Sequence, residues 1–373
     1  MITVTPKITR QQFIHTGLAI AAMPLSLSGC TPMGSPDSYD KVVKQTWRIS
    51  TDQFESEQLL QRELVRCATL APSGHNTQPW KFHIERGSIS MLPDFNRRTS
   101  VVDPDDHHLF VSLGCALENM AQASKAYGLQ SMAQFDAAKD VMTVRLEPTR
   151  ALASPLFYAI AHRQCTRGIY DGLPLAASEL KELARAGSGN GVSVLLFDAK
   201  ADIETLLQLV IDGNTAQLND AAFTKELKQW IRFSGGEAVE KSDGLYALSS
   251  GNPSVPRWLG SPMFDMLFNA KSENDKYAKQ TRSSAGIAVF VSEVDDKTHW
   301  LEAGRCYERF ALQATAFGIR NAMLNQAVEV PQQRQKLAAW LGAKGGRPDL
   351  VVRFGRGTTL PQSLRRNLQD VLI

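Results

Sequence analysis

Two distant stretches of this chain match each other without a gap. Gly114-Cys-Ala-Leu-Glu-Asn-Met-Ala-Gln-Ala-Ser-Lys-Ala-Tyr-Gly128 aligns with Gly304-Arg-Cys-Tyr-Glu-Arg-Phe-Ala-Leu-Gln-Ala-Thr-Ala-Phe-Gly318, which sets Glu118 on Glu308, Ala121 on Ala311 and Ala126 on Ala316. Leu129 and Ile319 then follow the two glycines. Amphipathic helices coincide by chance often enough, but a glycine stop at the same place in both makes duplication the better reading, because glycine readily adopts the left-handed conformation that ends a helix. The chain is therefore expected to fold as two halves. At 373 residues it also exceeds what one hydrophobic core usually organises.

The flanking patterns fill in the halves. A helix is expected from Ser56 to Leu70, then a loop over Ala71–Trp80 and strands at Lys81–Glu85 and Ser88–Leu92. Asp105 and Asp106 can cap a long helix that starts near His107 and keeps Leu109, Leu113, Leu117, Met120, Ser124 and Tyr127 at helical spacing. Further strands are expected at Met142–Leu146, Val192–Phe197, Ile287–Ser292 and Leu350–Phe354. Helices and strands alternate, an α+β or α/β pattern, of which α+β is the expected class.

The first residues differ in kind. Lys7 and Arg10 precede an apolar stretch from about Gly17 to Leu27, too short for the roughly 20 apolar residues a bilayer span needs. This is the layout of a signal peptide. It closes on Leu27-Ser28-Gly29-Cys30, which resembles a bacterial lipobox, so Cys30 is expected to carry a lipid anchor to the membrane. Thr9-Arg10-Gln11-Gln12-Phe13-Ile14 resembles a twin-arginine export motif with Gln11 in place of the second arginine, which leaves twin-arginine and Sec routes both open. Residues 1–30 thus read as signal, 31–45 as a Pro-, Gly- and Ser-bearing tether, 46–155 as the first half and 156–373 as the second. The expected location is outside the cytoplasm, on a membrane.

Composition narrows the function. A hydrophobic share of 43% and a charged share of 21% suit an ordinary folded protein, and a net charge of +3 offers no basic surface for nucleic acid. The cysteines Cys67, Cys115, Cys165 and Cys306 form no CxxC or metal-ligand spacing and read as buried small residues. Asp103–His108 holds three carboxylates and two histidines, but adjacent histidines at a helix start are expected to point to different faces, so a capped helix is the reading and no metal is expected. No Gly-x-Gly-x-x-Gly follows a strand, and Ser73 lies in no nucleophile elbow.

The most informative motif is Ala71-Pro-Ser-Gly-His-Asn-Thr-Gln-Pro-Trp80. Its Pro-Ser-Gly turn exposes backbone N–H groups, and the Asn76 and Gln78 amides donate and accept, which suits a planar heterocycle. Taken alone it also reads as an ordinary loop. It closely resembles the A-P-S-x-x-N-x-Q-P-W segment of the nitroreductase family, which lies against FMN at a dimer interface. Arg163-Gln-Cys-Thr-Arg167 is similar to that family's R-x-S-x-R phosphate segment, with Cys165 replacing the serine. Gly318–Gln326 resembles the stretch that meets flavin N5, which would put Asn325 near the reactive edge. Pro348–Gly355, followed by Arg365 and Arg366, resembles the closing strand and the basic residues that complete the phosphate site.

The resemblance implies a nitroreductase-like fold made of two fused unequal halves, most similar to the Acg-type branch. It further implies a monomer with an internal pseudo-two-fold and a single FMN site. Its implied cofactor contacts are Pro72, Ser73, Gly74, Asn76, Gln78, Arg163, Cys165, Arg167, Asn325, Arg365 and Arg366, with no catalytic side chain. The implied function is electron transfer through the flavin from an unidentified donor to a small-molecule acceptor. The alternative is an FMN-sequestering or storage protein, with the segment from Gly235 to Pro262 as a lid.

Overall fold

The computed structural model describes residues 36–50, 53–342 and 346–373. The signal-like segment and Cys30 lie outside the described residues. Among those described, no helix is long and apolar enough to cross a membrane.

Part of the expected tether is helical. Tyr39, Val42 and Val43 make an apolar stripe on α1 (Pro36–Thr46), and the buried Tyr39 ring lies 4.6 Å from that of Tyr246. In the first half, α2 (Glu57–Thr69) starts at Ser56, whose hydroxyl accepts the Leu59 N–H. The strands β1 (Trp80–Glu85) and β2 (Ser88–Pro93) form a hairpin, α3 (His107–Ala126) follows, and β3 (Leu129–Asp136) pairs with β4 (Val141–Pro148). Strand β3 was not expected, because it is largely exposed and shows no apolar alternation; pairing with β4 along its whole length holds it.

The second half opens with α4 (Pro155–Ala159), α5 (Ala177–Ala186) and β5 (Val192–Phe197). A long insertion follows: α6 (Lys200–Leu218), α7 (Ala221–Trp230), β6 (Ile231–Arg232), α8 (Gly235–Lys241), β7 (Leu245–Tyr246), α9 (Arg257–Leu267) and α10 (Ala270–Arg282). The chain then forms β8 (Gly286–Ser292), α11 (Lys297–Ala316), β9 (Arg320–Met323), α12 (Gln326–Glu329), α13 (Pro331–Leu341), β10 (Arg347–Gly355) and α14 (Leu368–Val371).

The two main sheets have one topology. Their orders are β1-β2-β4-β3 and β5-β8-β10-β9, so in each the third and fourth strands exchange places, and every pair is antiparallel. In each half one long helix, α3 or α11, joins the second strand to the third. The halves differ where the first strand meets the second: a two-residue turn after β1, the whole insertion from residue 198 to 285 after β5. This is an α+β fold of two unequal copies.

Helices α3 and α11 pack on each other at Gly114 and Gly304, within one apolar cluster that takes in Trp80 and Phe110 from the first half and Phe290, Phe310 and Phe354 from the second. Both end on a left-handed glycine, Gly128 and Gly318. The C-terminal tail returns to the first sheet, where the Ile373 N–H donates to the Phe82 carbonyl at 2.9 Å.

Candidate functional site

The 71–80 loop leaves α2 and turns three times through left-handed backbone at residues that are not glycine: His75 (φ 49°), Asn76 (φ 54°) and Gln78 (φ 56°). Such conformations persist where surrounding bonds over-determine them. Ser73 Oγ accepts the Gln78 N–H at 2.9 Å. The Asn76 amide donates to the carbonyls of Gly244 (3.0 Å) and Leu364 (3.2 Å) and accepts from Arg365 at 3.0 Å. Gln78 donates to the Ser242 carbonyl at 2.9 Å and accepts the Arg366 N–H at 2.8 Å. Both amides are buried and spent on holding the loop to the insertion and the C-terminal tail.

Three of the expected phosphate ligands are spent in the same way. The buried Arg365 guanidinium donates to the carbonyls of Thr69, Leu70 and Ala71 at 2.9–3.1 Å, so it satisfies the end of α2, and it lies over the Trp47 ring. Arg366 donates to the Gln78 carbonyl at 3.1 Å. Arg163, 2% exposed, donates to the Leu70 carbonyl and pairs through Nε with Glu308 at 3.1 Å. Burial pushes the Glu308 carboxyl up to about 7 against the pull of Arg163. Asn76, Gln78, Arg163, Arg365 and Arg366 therefore form a scaffold behind the loop and do not line the cavity in front of it.

That cavity has a volume of about 440 Å³, within the roughly 300–1,000 Å³ usual for small-molecule sites. Pro72, Ser73, Gly74, Cys165, Arg167 and Asn325 all face it, so six residues singled out from the sequence meet at one place. Its floor is the edge of the second sheet, with Ala322, Met323, Leu350 and Arg353. Its roof is the insertion, which contributes Phe223, Phe233, Met263, Phe264 and Phe268, and Lys276, Tyr277 and Gln280 from α10. The 235–262 segment, the lid of the alternative reading, carries α8, β7 and the start of α9, and Ala247, Asn252 and Val255 from it join the wall.

Arg167 is presented deliberately. Its carbonyl accepts from Gln280 at 2.7 Å, and Arg353 grips the carbonyls on either side, Thr166 (3.2 Å) and Gly168 (2.8 Å). Its own guanidinium has no carboxylate or carbonyl partner among the described residues. Beside it, His75 Nδ1 is buried without a hydrogen-bond partner. Burial, then the Arg167 and His108 charges, push His75 down to about 4, so its ring is neutral at pH 7. Arg353 was not singled out beforehand; a lone arginine inside the apolar run Leu350-Val-Val-Arg-Phe354 was the signal for it.

The 103–108 segment differs from expectation in two ways. Asp103 rather than Asp105 or Asp106 caps α3, accepting the N–H groups of His108 (3.0 Å) and Leu109 (2.9 Å). Asp106 is itself left-handed and makes no cap bond. The two imidazoles do not diverge: His107 Nδ1 and His108 Nδ1 stand 3.5 Å apart. No preceding helical turn restricts rotamers at the first positions of α3, which leaves both rings free to swing to one side. His107 Nε2 bonds Asp349 Oδ1 at 2.8 Å, and Asp349 Oδ2 accepts the Ser292 hydroxyl at 2.6 Å, all buried. Glu329, which accepts from Gln217 at 2.7 Å, lines the cavity beside His108.

No family model matches the sequence. The chain is 27% identical over 333 residues to a protein of Mycobacterium tuberculosis H37Rv provisionally named an NAD(P)H nitroreductase, covering 83% of this chain and 90% of that one. A second protein of the same strain, provisionally named the NAD(P)H nitroreductase acg, is 21% identical over 331 residues, with 83% and 94% covered. Among solved structures, an FMN-bound nitroreductase from Desulfitobacterium hafniense superposes with a TM-score of 0.36 at 17% identity, over 58% of this chain and 96% of that one. One from Bacteroides fragilis, also with FMN, gives 0.35 at 14%, over 55% and 90%. Similarity to nitroreductase-type proteins thus runs along most of the sequence.

Proposed function

We propose that this chain is an FMN-dependent oxidoreductase of nitroreductase type with one flavin site, the cavity between the 71–80 loop, the second sheet and the insertion. The observation that carries this reading is the convergence of Ser73, Gly74, Cys165, Arg167 and Asn325, from both halves, on one cavity whose Arg167 guanidinium and buried His75 Nδ1 have no hydrogen-bond partner among the described residues. An anionic, nitrogen-bearing aromatic ligand fits those groups. The nitroreductase-named relatives along 83% of the chain support the same choice.

In this reading Arg167 would hold the phosphate, with a planar fork suited to phosphate oxygens. Ser73, Gly74, the neutral His75 and Asn325 would hold the ring system. FMN supplies reversible two-electron chemistry, and the chain supplies position and access. The aromatic roof excludes water and offers an apolar face to a planar acceptor. The scaffold of Asn76, Gln78, Arg365 and Arg366 fixes the loop before any ligand arrives.

The insertion that roofs the cavity keeps the sequestering alternative in view. Absorption spectra of the purified protein under anaerobic conditions, before and after NADPH and then dithionite, separate the two. A flavin bleached by NADPH and restored by a nitroaromatic or quinone supports turnover. A flavin bleached by dithionite alone, and not reoxidised by either, points to sequestration. We propose further that Cys30 is lipidated and that the folded chain is held outside the cytoplasm at a membrane.

A further inference from the structure

We propose that Asp103, His107 and His108 form a site for a divalent first-row transition metal of the zinc class, where Asp103 and His108 line both the main cavity and a smaller one. One ligand atom from each lies within 4.8 Å of the others. His107 Nδ1 to His108 Nδ1 is 3.5 Å, and His108 Nδ1 to Asp103 Oδ1 is 3.4 Å. With metal–ligand bonds of about 2.0–2.2 Å, a tetrahedral site sets its ligand atoms roughly 3.3–3.5 Å apart. These separations are long for hydrogen bonds and right for a shared ion.

The surroundings prepare the ligands. His107 is 1% exposed and Asp349 0%, and with the imidazole proton on Nε2, donated across their 2.8 Å bond, the Nδ1 lone pair faces His108. Ser292 in turn fixes Asp349. A carboxylate behind a ligating imidazole is the usual second layer of a metal site. Both Asp103 oxygens already accept a backbone N–H, but an ionised carboxylate has about four lone-pair positions and keeps some for a cation. His108 Nε2 faces the Asn325 amide nitrogen at 3.3 Å. Metal at Nδ1 moves the His108 proton to Nε2, so the Asn325 amide turns to accept it and gives up the Val351 N–H.

Three protein ligands leave an open position. Asp103 and His108 line both the main cavity and a second one of about 240 Å³, with Glu329 on the wall of each, so the ion has a route in and its remaining position goes to water or an exchangeable ligand. Two imidazoles and a carboxylate suit Zn²⁺, Co²⁺, Ni²⁺ or Fe²⁺ rather than Ca²⁺ or Mg²⁺. Its test is separable from the flavin reading, because the binding of metal is read directly.

The test uses the full-length protein, stripped with a chelator and titrated with Co²⁺ by its visible d–d absorption and with Zn²⁺ by competition. The wild type is expected to bind one Co²⁺ per chain, displaced by Zn²⁺. His108→Gln and Asp103→Asn are each expected to weaken binding at least 100-fold, and Asp349→Asn, which touches no metal, 10- to 100-fold. Wild-type protein without Co²⁺ bands, or His108→Gln and Asp349→Asn binding as tightly as wild type, would overturn the site. Should His108→Gln fail to fold, Asp349→Asn carries the comparison alone.

Discussion

Gly114 and Gly304 each lie under the backbone of the other's helix: a Cβ built on Gly114 would come 1.9 Å from the Leu301 carbonyl oxygen, and one on Gly304 2.0 Å from that of Val111. Leu301 precedes Gly304 by the same three residues as Val111 precedes Gly114, so the contact is reciprocal, as at the axis of a two-fold dimer. No side chain fits there. Gly114→Ala and Gly304→Ala are each expected to cost about 2–3 kcal/mol, the upper part of the usual range for overpacking, because the opposing atom is backbone. Urea unfolding measures both, and the two costs should agree within about 1 kcal/mol; a cost under about 0.5 kcal/mol at either position would refute the close approach.

The Arg163–Glu308 pair sits wholly in the core. Glu308 is raised from 4.5 to about 7, so between those values the folded chain holds a proton that the unfolded chain has released. This group's contribution to stability therefore falls as pH rises through that window and is level above it. Thermal unfolding from pH 4 to 8 should show a negative slope in wild type relative to Glu308→Gln. Because Gln keeps the neutral form at every pH, the cost of Glu308→Gln relative to wild type should be smallest at pH 8, whereas Arg163→Met, which leaves the buried Glu308 without its cation, should cost about 3–5 kcal/mol there, and Arg163→Met with Glu308→Leu should recover most of that.

Basic residues that look alike in the sequence are expected to separate by readout. Arg167→Gln should weaken FMN binding at least 10-fold while unfolding stays within about 0.5 kcal/mol of wild type, since its guanidinium faces the cavity and has no hydrogen-bond partner among the described residues. Arg365→Met should instead lower stability by about 3 kcal/mol or more, since it leaves the Thr69, Leu70 and Ala71 carbonyls and Asn76 Oδ1 unpaired. Fluorescence quenching of FMN and chemical denaturation on both variants check the division. Equal effects on both measurements would erase it.

Membrane attachment rests on Leu27-Ser28-Gly29-Cys30 alone. Wild-type protein should fractionate with membranes and leave them in detergent, because lipoprotein cysteines carry more than one acyl chain and single chains bind only marginally. Cys30→Ala should become soluble with its flavin content unchanged. A Cys30→Ala protein still in the membrane fraction would remove the anchor from the account.

Much of the fold was legible because periodicity and punctuation agree. Val192–Phe197 is a strand at the residues its apolar run marks, α3 begins at His107 as expected, and both repeated helices end just before their glycine stops. Strand β3 was invisible, since an exposed edge strand needs no apolar alternation. Pro72, Ser73 and Gly74 of the loop motif face the cavity, but sequence cannot say which polar groups face a ligand and which face the fold. Asn76 and Gln78 turned inward because left-handed backbone had to be held by buried bonds. The His107–His108 convergence depended on Asp349, distant in sequence, and no local pattern announces it.

The central claim is that two halves build one flavin site, and counting the flavin tests it most directly. The full-length protein, reconstituted with excess FMN, desalted and then denatured, should release one FMN per chain. It should take up no FAD under the same conditions, because in the proposed site a phosphate held by Arg167 would be the end of the ligand. Two FMN per chain, or none retained by folded protein, would contradict the account.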